Sequence, residues 1–336
     1  VSLEQFIAGL PKAELHVHHV GSASPRVVAE LAGRHEGTTE VPADPALLAD
    51  YFTFRDFAHF IEVYVSVVDL IRDAEDVRAL TYGVAEDMAR QNIRYAELTI
   101  SPYLSVVNGI PDVAFMEAIE DARRTAERDF GLVLRWCFDI PGEEGLPGAE
   151  ETTRLALDLA PEGLVSFGLG GPEIGWPRPQ FKPYFDRARA AGLHSVPHAG
   201  ESTGPGTIWD AINYLGAVRI GHGTQATRDP ALMDYLGEHQ IALEVCPTSN
   251  LATRVVERIE EHPIRQMAEA GLLVTVNSDD PPMFGTDLNQ EYAVAAKLLG
   301  LDEAGIADLA GNAVRASFLD SAGKAALLAE IKEYAG

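Results

Sequence analysis

The chain has 336 residues, 46% of them hydrophobic, with 13 Phe, 10 Tyr and 3 Trp. That supply builds a large core and excludes a disordered protein. Lys and Arg number 26 against 51 Asp and Glu, a net charge of −25, and a field of that sign argues against nucleic-acid and anionic-membrane partners. No apolar run reaches the ~18 residues that a membrane span needs. The two cysteines, Cys137 and Cys246, form no CxxC pair and make no disulfide framework, so a reducing cytoplasm is the expected compartment. The first residues, Val-Ser-Leu-Glu-Gln-Phe-Ile, lack the basic-then-apolar pattern of a secretory signal.

Along the chain, short apolar or β-branched runs alternate with longer segments of helical spacing. Strands are predicted over 13–19, 94–101, 132–140, 165–171, 194–201, 219–223, 242–250 and 273–281. Helices are predicted between them over 112–129, 149–160, 180–191, 206–215, 230–239 and 263–270. Buried strands feeding amphipathic helices predict an α/β protein with a parallel sheet. Eight units over this length predict a closed (β/α)₈ TIM barrel. An open doubly wound sheet is the alternative, but its glycine-rich phosphate turn is absent after the first strand, where His-His-Val-Gly-Ser stands. Residues 25–91 read as an insertion of about three helices after strand one, and 287–336 as extra C-terminal helices. No linker divides the chain, so 1–336 is expected to be a single barrel domain.

Unusual polar residues fall at the predicted strand ends: His16 and His18 on strand one, His198 and Glu201 on strand five, His222 on strand six, Asp279 and Asp280 on strand eight. In a (β/α)₈ barrel those ends meet on one face, where active sites are built. Side chains two apart on a strand point the same way, so His16 and His18 form an inward grip on a divalent metal. His198 and Asp279 would complete a four-ligand zinc set with room for a water. His35, His59, His194, His239 and His262 lie away from the strand ends and read as ordinary. The lysines at 12, 182, 297, 324 and 332 end no predicted strand, so no bridging lysine for a second metal is expected and one Zn²⁺ per chain is. Cys246, in Val-Cys-Pro-Thr, reads as packing rather than as a ligand.

The stretches Pro-Lys-Ala-Glu-Leu-His-Val-His, His-Ala-Gly-Glu at 198–201, Gly-His-Gly at 221–223, Cys-Pro-Thr-Ser-Asn at 246–250 and Ser-Asp-Asp-Pro at 278–281 together resemble the adenosine deaminase family of metal-dependent amidohydrolases. The resemblance covers most of the chain. It implies that His16, His18, His198 and Asp279 hold zinc, that Glu201 protonates N1 of a 6-aminopurine, and that His222 orients and deprotonates the attacking water. It also implies that Asp280 bonds N7 and that the Gly171 N–H bonds N3. The chemistry requires such a set: protonating N1 makes the poorly electrophilic C6 attackable, and zinc brings the pKa of water toward ~7.

Three positions depart from the family pattern. Where adenosine deaminases carry an aspartate for the ribose 5′-hydroxyl, and related adenine deaminases a glutamate, this chain has Val20. An apolar contact gives no reason to prefer that hydroxyl, nor does it strongly reject it. Thr99 stands where the family usually has arginine, and Gly168 where animal adenosine deaminases have aspartate. The His-His-Val-Gly-Ser variant resembles the branch of the family that acts on aminodeoxyfutalosine. The expected reaction is therefore zinc-dependent deamination of a nucleoside with a modified 5′ position, aminodeoxyfutalosine to deoxyfutalosine plus ammonia in menaquinone biosynthesis. Adenosine or another 5′-modified adenosine such as methylthioadenosine is the alternative. Candidates to meet a substrate carboxylate are His19, Ser22, Arg55, His59 and Arg72. The aromatic stretch 51–60 reads either as a lid on the substrate or as packing of the insertion.

Overall fold

The computed structural model describes residues 2–53, 55 and 57–336, with the side chains at 49, 57, 58, 60 and 61 outside the description. The chain folds into a parallel (β/α)₈ barrel. Its strands are β1 (Lys12–His18), β2 (Ile93–Ile100), β3 (Val133–Pro141), β4 (Leu164–Gly170), β5 (His194–Ser195), β6 (His198–Ala199), β7 (Arg219–His222), β8 (Ala242–Val245) and β9 (Val274–Val276). They pair in the order β1-β2-β3-β4-β5 and β6-β7-β8-β9, every pair parallel.

The predicted fifth strand is present as two short pieces, β5 and β6. Pro197 separates them and has no N–H to donate to a ladder. The chain still runs on as one barrel stave, because the Val196 N–H bonds the Phe167 carbonyl and the Gly221 N–H bonds the Pro197 carbonyl, at 2.9 and 3.0 Å. The seventh and eighth strands also end earlier than the sequence suggests. Pro247 opens a short helix, Pro247–Ala252, and Pro281 another, Pro281–Phe284, as proline at a helix start commonly does.

The seam between β9 and β1 closes by other means. Val17 and Asp279 form an isolated parallel bridge, in which the His18 N–H bonds the Asp279 carbonyl at 2.9 Å and the Asp279 N–H bonds the His16 carbonyl at 3.1 Å. Below it, the Asn277 side-chain carbonyl accepts from the N–H of both Leu15 and His16, at 3.0 and 3.2 Å. A side chain thus takes the place of a missing strand partner. From outside, helix Glu303–Ala316 packs on β1 and β9, and Asn312 bonds the Val274 carbonyl. The C-terminal helices cover the seam.

The helices carry the expected amphipathic pattern. In Asp112–Phe130, Phe115, Met116, Ile119, Ala122 and Ala126 are buried on one face, and Gly131 ends the helix in the left-handed conformation. The insertion holds four helices among the described residues, one more than its spacing suggests: Pro25–Arg34, Pro45–Tyr51, Phe57–Val68 and Ala74–Arg90. Buried Asp76 ties the last of these helices to the first, accepting from Arg34, His35 and the Arg72 backbone.

Replacing Asn277 with Leu leaves two buried N–H groups of β1 unpaired at the seam. At ~1–3 kcal/mol per orphaned group, urea unfolding should show a loss of about 2–6 kcal/mol. A loss under 1 kcal/mol would mean the seam does not depend on this side chain.

Candidate functional site

The barrel brings the expected residues together at the C-terminal ends of its strands. His16 and His18 leave β1, His198 starts β6, His222 ends β7, and Asp279 and Asp280 follow β9. The imidazole centroids of His16 and His198 are 4.5 Å apart, those of His16 and His222 4.8 Å, and His18 stacks on His198 at 5.4 Å. His222 and Asp279 both have left-handed backbones, with φ of 61° and 64°. That region is costly for residues other than glycine, and His and Asp are among the types that tolerate it. Here the turn aims both side chains inward.

Asp279 is the hub. Its carboxylate accepts from His18 Nδ1 at 2.8 Å and from Ser249 Oγ at 2.6 Å, and faces His16 Nε2 at 3.6 Å and His222 Nε2 at 3.8 Å. Burial opposes its charge, but His16 and His18 outweigh burial and hold the carboxyl well below its usual range. His16 donates from Nδ1 to Glu244 Oε2 at 3.0 Å. Its Nε2 is buried with no hydrogen-bond partner. With the ring held between two carboxylates, that free lone pair draws a proton or a metal ion. Burial pushes His16 down, yet Asp279 and Glu244 raise it to about 9. His198 goes the other way, held well below its usual value by burial and then by its histidine neighbours.

Three imidazoles and one carboxylate with an unpartnered nitrogen suit a zinc-type ion. His16 with His198 and His222, and His18 with Asp279 and Asp280, form groups whose ligand atoms lie within 4.8 Å of one another. Cys246 also comes within that distance of His16 and Asp279. Its Sγ donates to the Glu244 carbonyl at 3.7 Å, in keeping with a packing role.

The polar scaffold behind these groups was not legible in the sequence. Glu244 is buried between His16 and Arg219, and Arg219 also pairs with buried Glu97. Each of these charges stands inside an apolar strand, which was the available signal. Glu173 is a second case. Its carboxylate accepts from the N–H groups of Glu201, Ser202 and Thr203, at 3.3, 2.9 and 2.7 Å, and from both hydroxyls. Arg178, fully buried, donates to the His198 carbonyl at 3.1 and 2.8 Å. Together they hold the loop from His198 to Thr203.

Glu201 stands 3.6 Å from His222 Nε2, and burial raises its carboxyl pKa. Asp280 lies against the turn Val20–Ser22: a Cβ on Gly21 would fall 1.5 Å from Asp280 Oδ1, so glycine is required there. Gly171 is exposed at the mouth just after β4, with φ of 72°. Val20 is half-buried against the apolar core. Gly168 has a structural reason: Asp139 of β3 fills the space over it, 2.4 Å from where a Cβ would sit. Burial raises Asp139 to about 7.

Among the candidates for a substrate carboxylate, three are committed elsewhere. His19 is buried, donates to Thr81 Oγ1 at 2.8 Å, and is pushed down to about 3 by burial. Ser22 donates to the His18 carbonyl. Arg72 is spent on Thr38 and the Asp69 carbonyl. Arg55 is exposed, and its backbone N–H bonds His59 Nδ1 at 3.2 Å. Of the aromatic stretch 51–60, Tyr51 and Phe52 pack against the core, while the side chains of Phe54, Phe57 and Phe60 lie outside the described residues. Tyr64, on helix Phe57–Val68, was not singled out; burial first, then the charges of Asp280, Asp279 and Glu143, raise its phenol pKa.

Outer partners of metal-binding histidines typically contribute 10–100-fold to affinity. Glu244→Gln should therefore weaken zinc affinity by about that factor in chelator competition. Unchanged affinity would show that Glu244 does not support the ligand set.

Residues 11–334 match the family model described as adenosine deaminase. An aminodeoxyfutalosine deaminase from Streptomyces avermitilis is 70% identical over 334 residues, 99% of this chain and 93% of that protein. The crystal structure of an adenine deaminase from Arthrobacter aurescens superposes with a TM-score of 0.89 at 30% identity, covering 97% of this chain and 99% of that one. An amidohydrolase from Burkholderia ambifaria, solved with bound zinc, gives 0.88 at 26% identity over 100% and 94%. With its strand-end histidines and paired aspartates at one barrel mouth, the chain belongs to the adenosine deaminase family of the metal-dependent amidohydrolases.

Proposed function

We propose that this chain is a zinc-dependent aminohydrolase that converts aminodeoxyfutalosine to deoxyfutalosine and ammonia, a step in menaquinone biosynthesis. The observation that carries the chemistry is the convergence of Glu201, His222 and Asp280 around Asp279. The choice of substrate rests on Val20, half-buried at the mouth with no acceptor to offer, and on the activity that the name of the S. avermitilis relative states. Residues 1–336 are read as one hydrolase unit in the cytoplasm, consistent with two free buried cysteines. Among the described residues no helix is long and apolar enough to cross a membrane.

His16, His18, His198 and Asp279 would hold one zinc ion, which when bound makes water nucleophilic at neutral pH. The rest of the chemistry belongs to the chain. Glu201, whose pKa burial raises, gives its proton to purine N1 and turns C6 into an electrophile. His222 orients the water that attacks C6. Asp280 shares a hydrogen with N7 and the Gly171 N–H bonds N3, so the ring is fixed at both edges. Ammonia leaves and a 6-oxopurine remains. A glutamic acid with a raised pKa keeps its proton to higher pH, so activity falls on the alkaline side as Glu201 ionises.

Glu201→Gln should lower kcat by ~10²–10⁴, the usual worth of a positioned acid, and flatten that alkaline limb. A variant that keeps the limb would place the ionisation elsewhere. Ammonia release from aminodeoxyfutalosine, adenosine, methylthioadenosine and adenine should favour the first by orders of magnitude in kcat/KM. Val20→Asp should raise activity on adenosine and lower it on aminodeoxyfutalosine. A wild-type preference for adenosine would overturn the substrate assignment and leave the aminohydrolase chemistry standing.

A further inference from the structure

His222 is the last member of a buried chain of hydrogen bonds. The Ile264 backbone N–H bonds His262 Nδ1 at 3.2 Å. His262 Nε2 meets Asn250 Oδ1 at 3.1 Å, and Asn250 Nδ2 meets His222 Nδ1 at 3.2 Å. His262, Asn250 and His222 are 4%, 0% and 1% exposed, so no solvent competes for these atoms. His262, which reads as an ordinary histidine in the sequence, belongs to the site.

The direction of every bond follows from the first. A backbone N–H can only donate, so His262 Nδ1 accepts. A neutral imidazole that accepts at one nitrogen carries its proton on the other, so His262 Nε2 donates. Burial lowers His262 to about 4, which keeps it neutral with a single ring proton. The Asn250 atom facing it must therefore be the oxygen, and the amide nitrogen is left to face His222. That nitrogen only donates, so His222 Nδ1 accepts and Nε2 carries the proton. The far side of the ring agrees independently. Nε2 faces the Asp279 carboxylate, with Oδ2 at 3.8 Å, beside Glu201 Oε2 at 3.6 Å, and a ring proton there suits the Asp279 acceptor.

We propose that Asn250 and His262 are positioning residues that hold the His222 proton on Nε2, so that His222 acts as a hydrogen-bond donor to the attacking water and not as its base. This rests on the aminohydrolase reading above. The sequence-based expectation gives His222 both tasks, orienting and deprotonating; the chain of bonds leaves it only the first. The water's proton then goes to Glu201. As the O–C6 bond forms, the C6–N1 π pair moves to N1 and takes the proton of Glu201. The emptied carboxylate accepts the proton that the water releases, so Glu201 ends the step protonated as it began.

The test is the imidazole nitrogen spectrum of the full-length zinc-loaded protein, labelled with ¹⁵N-histidine, in which His222 is assigned by the signal lost in His222→Gln. The expected result is a protonated Nε2 and a bare Nδ1. Two variants separate polarity from packing. Asn250→Asp offers only acceptors and forces a proton onto His222 Nδ1. A wrong catalytic tautomer costs on the order of 10⁴ in serine proteases, and kcat here should fall at least ~10³-fold with KM nearly unchanged. His262→Gln can accept from Ile264 with its oxygen and donate to Asn250 with its nitrogen, which restores the polarity, so kcat should stay within about tenfold of wild type. A bare Nε2 in the wild-type spectrum overturns the proposal, even if Asn250→Asp does not fold. So does an Asn250→Asp enzyme with near-wild-type kcat. A protonated Nε2 in a protein that deaminates no purine upholds the hydrogen-bond polarity and removes the functional reading instead.

Discussion

One residue both bridges the barrel's seam and gathers three of its histidines. The backbone of Asp279 bridges the last strand to the first, and its carboxylate sits within 4 Å of His16, His18 and His222. The two roles constrain each other. Its amide bonds the His16 carbonyl and its carbonyl bonds the His18 amide, so the register that closes the barrel also sets the ligand spacing. The left-handed turn at Asp279 lets one residue face both ways. Strain of this kind persists only where the surroundings over-determine it, and here Ser249, Asn277 and the helix Glu303–Ala316 surround the seam.

The site is held from behind by charge as well as by backbone. Arg219, Glu97 and Glu244 lie inside the barrel, and Glu244 ends the series on His16 Nδ1. Phe318 of the C-terminal region stacks on the Arg219 guanidinium at 4.1 Å, and the Ala316 carbonyl accepts from it. Buried ions of this type add little net stability over an apolar core but are costly to break singly. Their effect is to fix one orientation of the imidazole. On the other side, Glu173 and Arg178 hold the loop of His198 and Glu201 by its backbone and not by those two side chains.

Much of this was legible in the sequence. His16 and His18 share a face because strand side chains alternate, and the strand-end positions of His198, His222 and Asp279 follow from the barrel itself. The break at Pro197 follows from its missing donor, yet a strand pattern runs across it. The closure through Asp279 was not legible, because it depends on the register of the first and last strands, 262 residues apart in the Leu15–Asn277 bond. Ser249, Asn250 and His262 were hidden for a related reason. Cys-Pro-Thr-Ser-Asn reads as the tail of a strand, but Pro247 turns it into a helix, and that turn is what carries Ser249 to Asp279 and Asn250 to His222. His19 and Arg72 looked available because spacing cannot show that Thr81 and Thr38 engage them.

The most direct test of the central claim is anomalous scattering at the zinc edge from crystals of the zinc-loaded chain. The account predicts one peak, bonded at about 2.0–2.2 Å to His16, His18, His198 and Asp279, with the Val17–Asp279 bridge intact. A peak that leaves out Asp279, or two peaks sharing these residues, would contradict the claim that the barrel's closure and its metal site are built on the same residue.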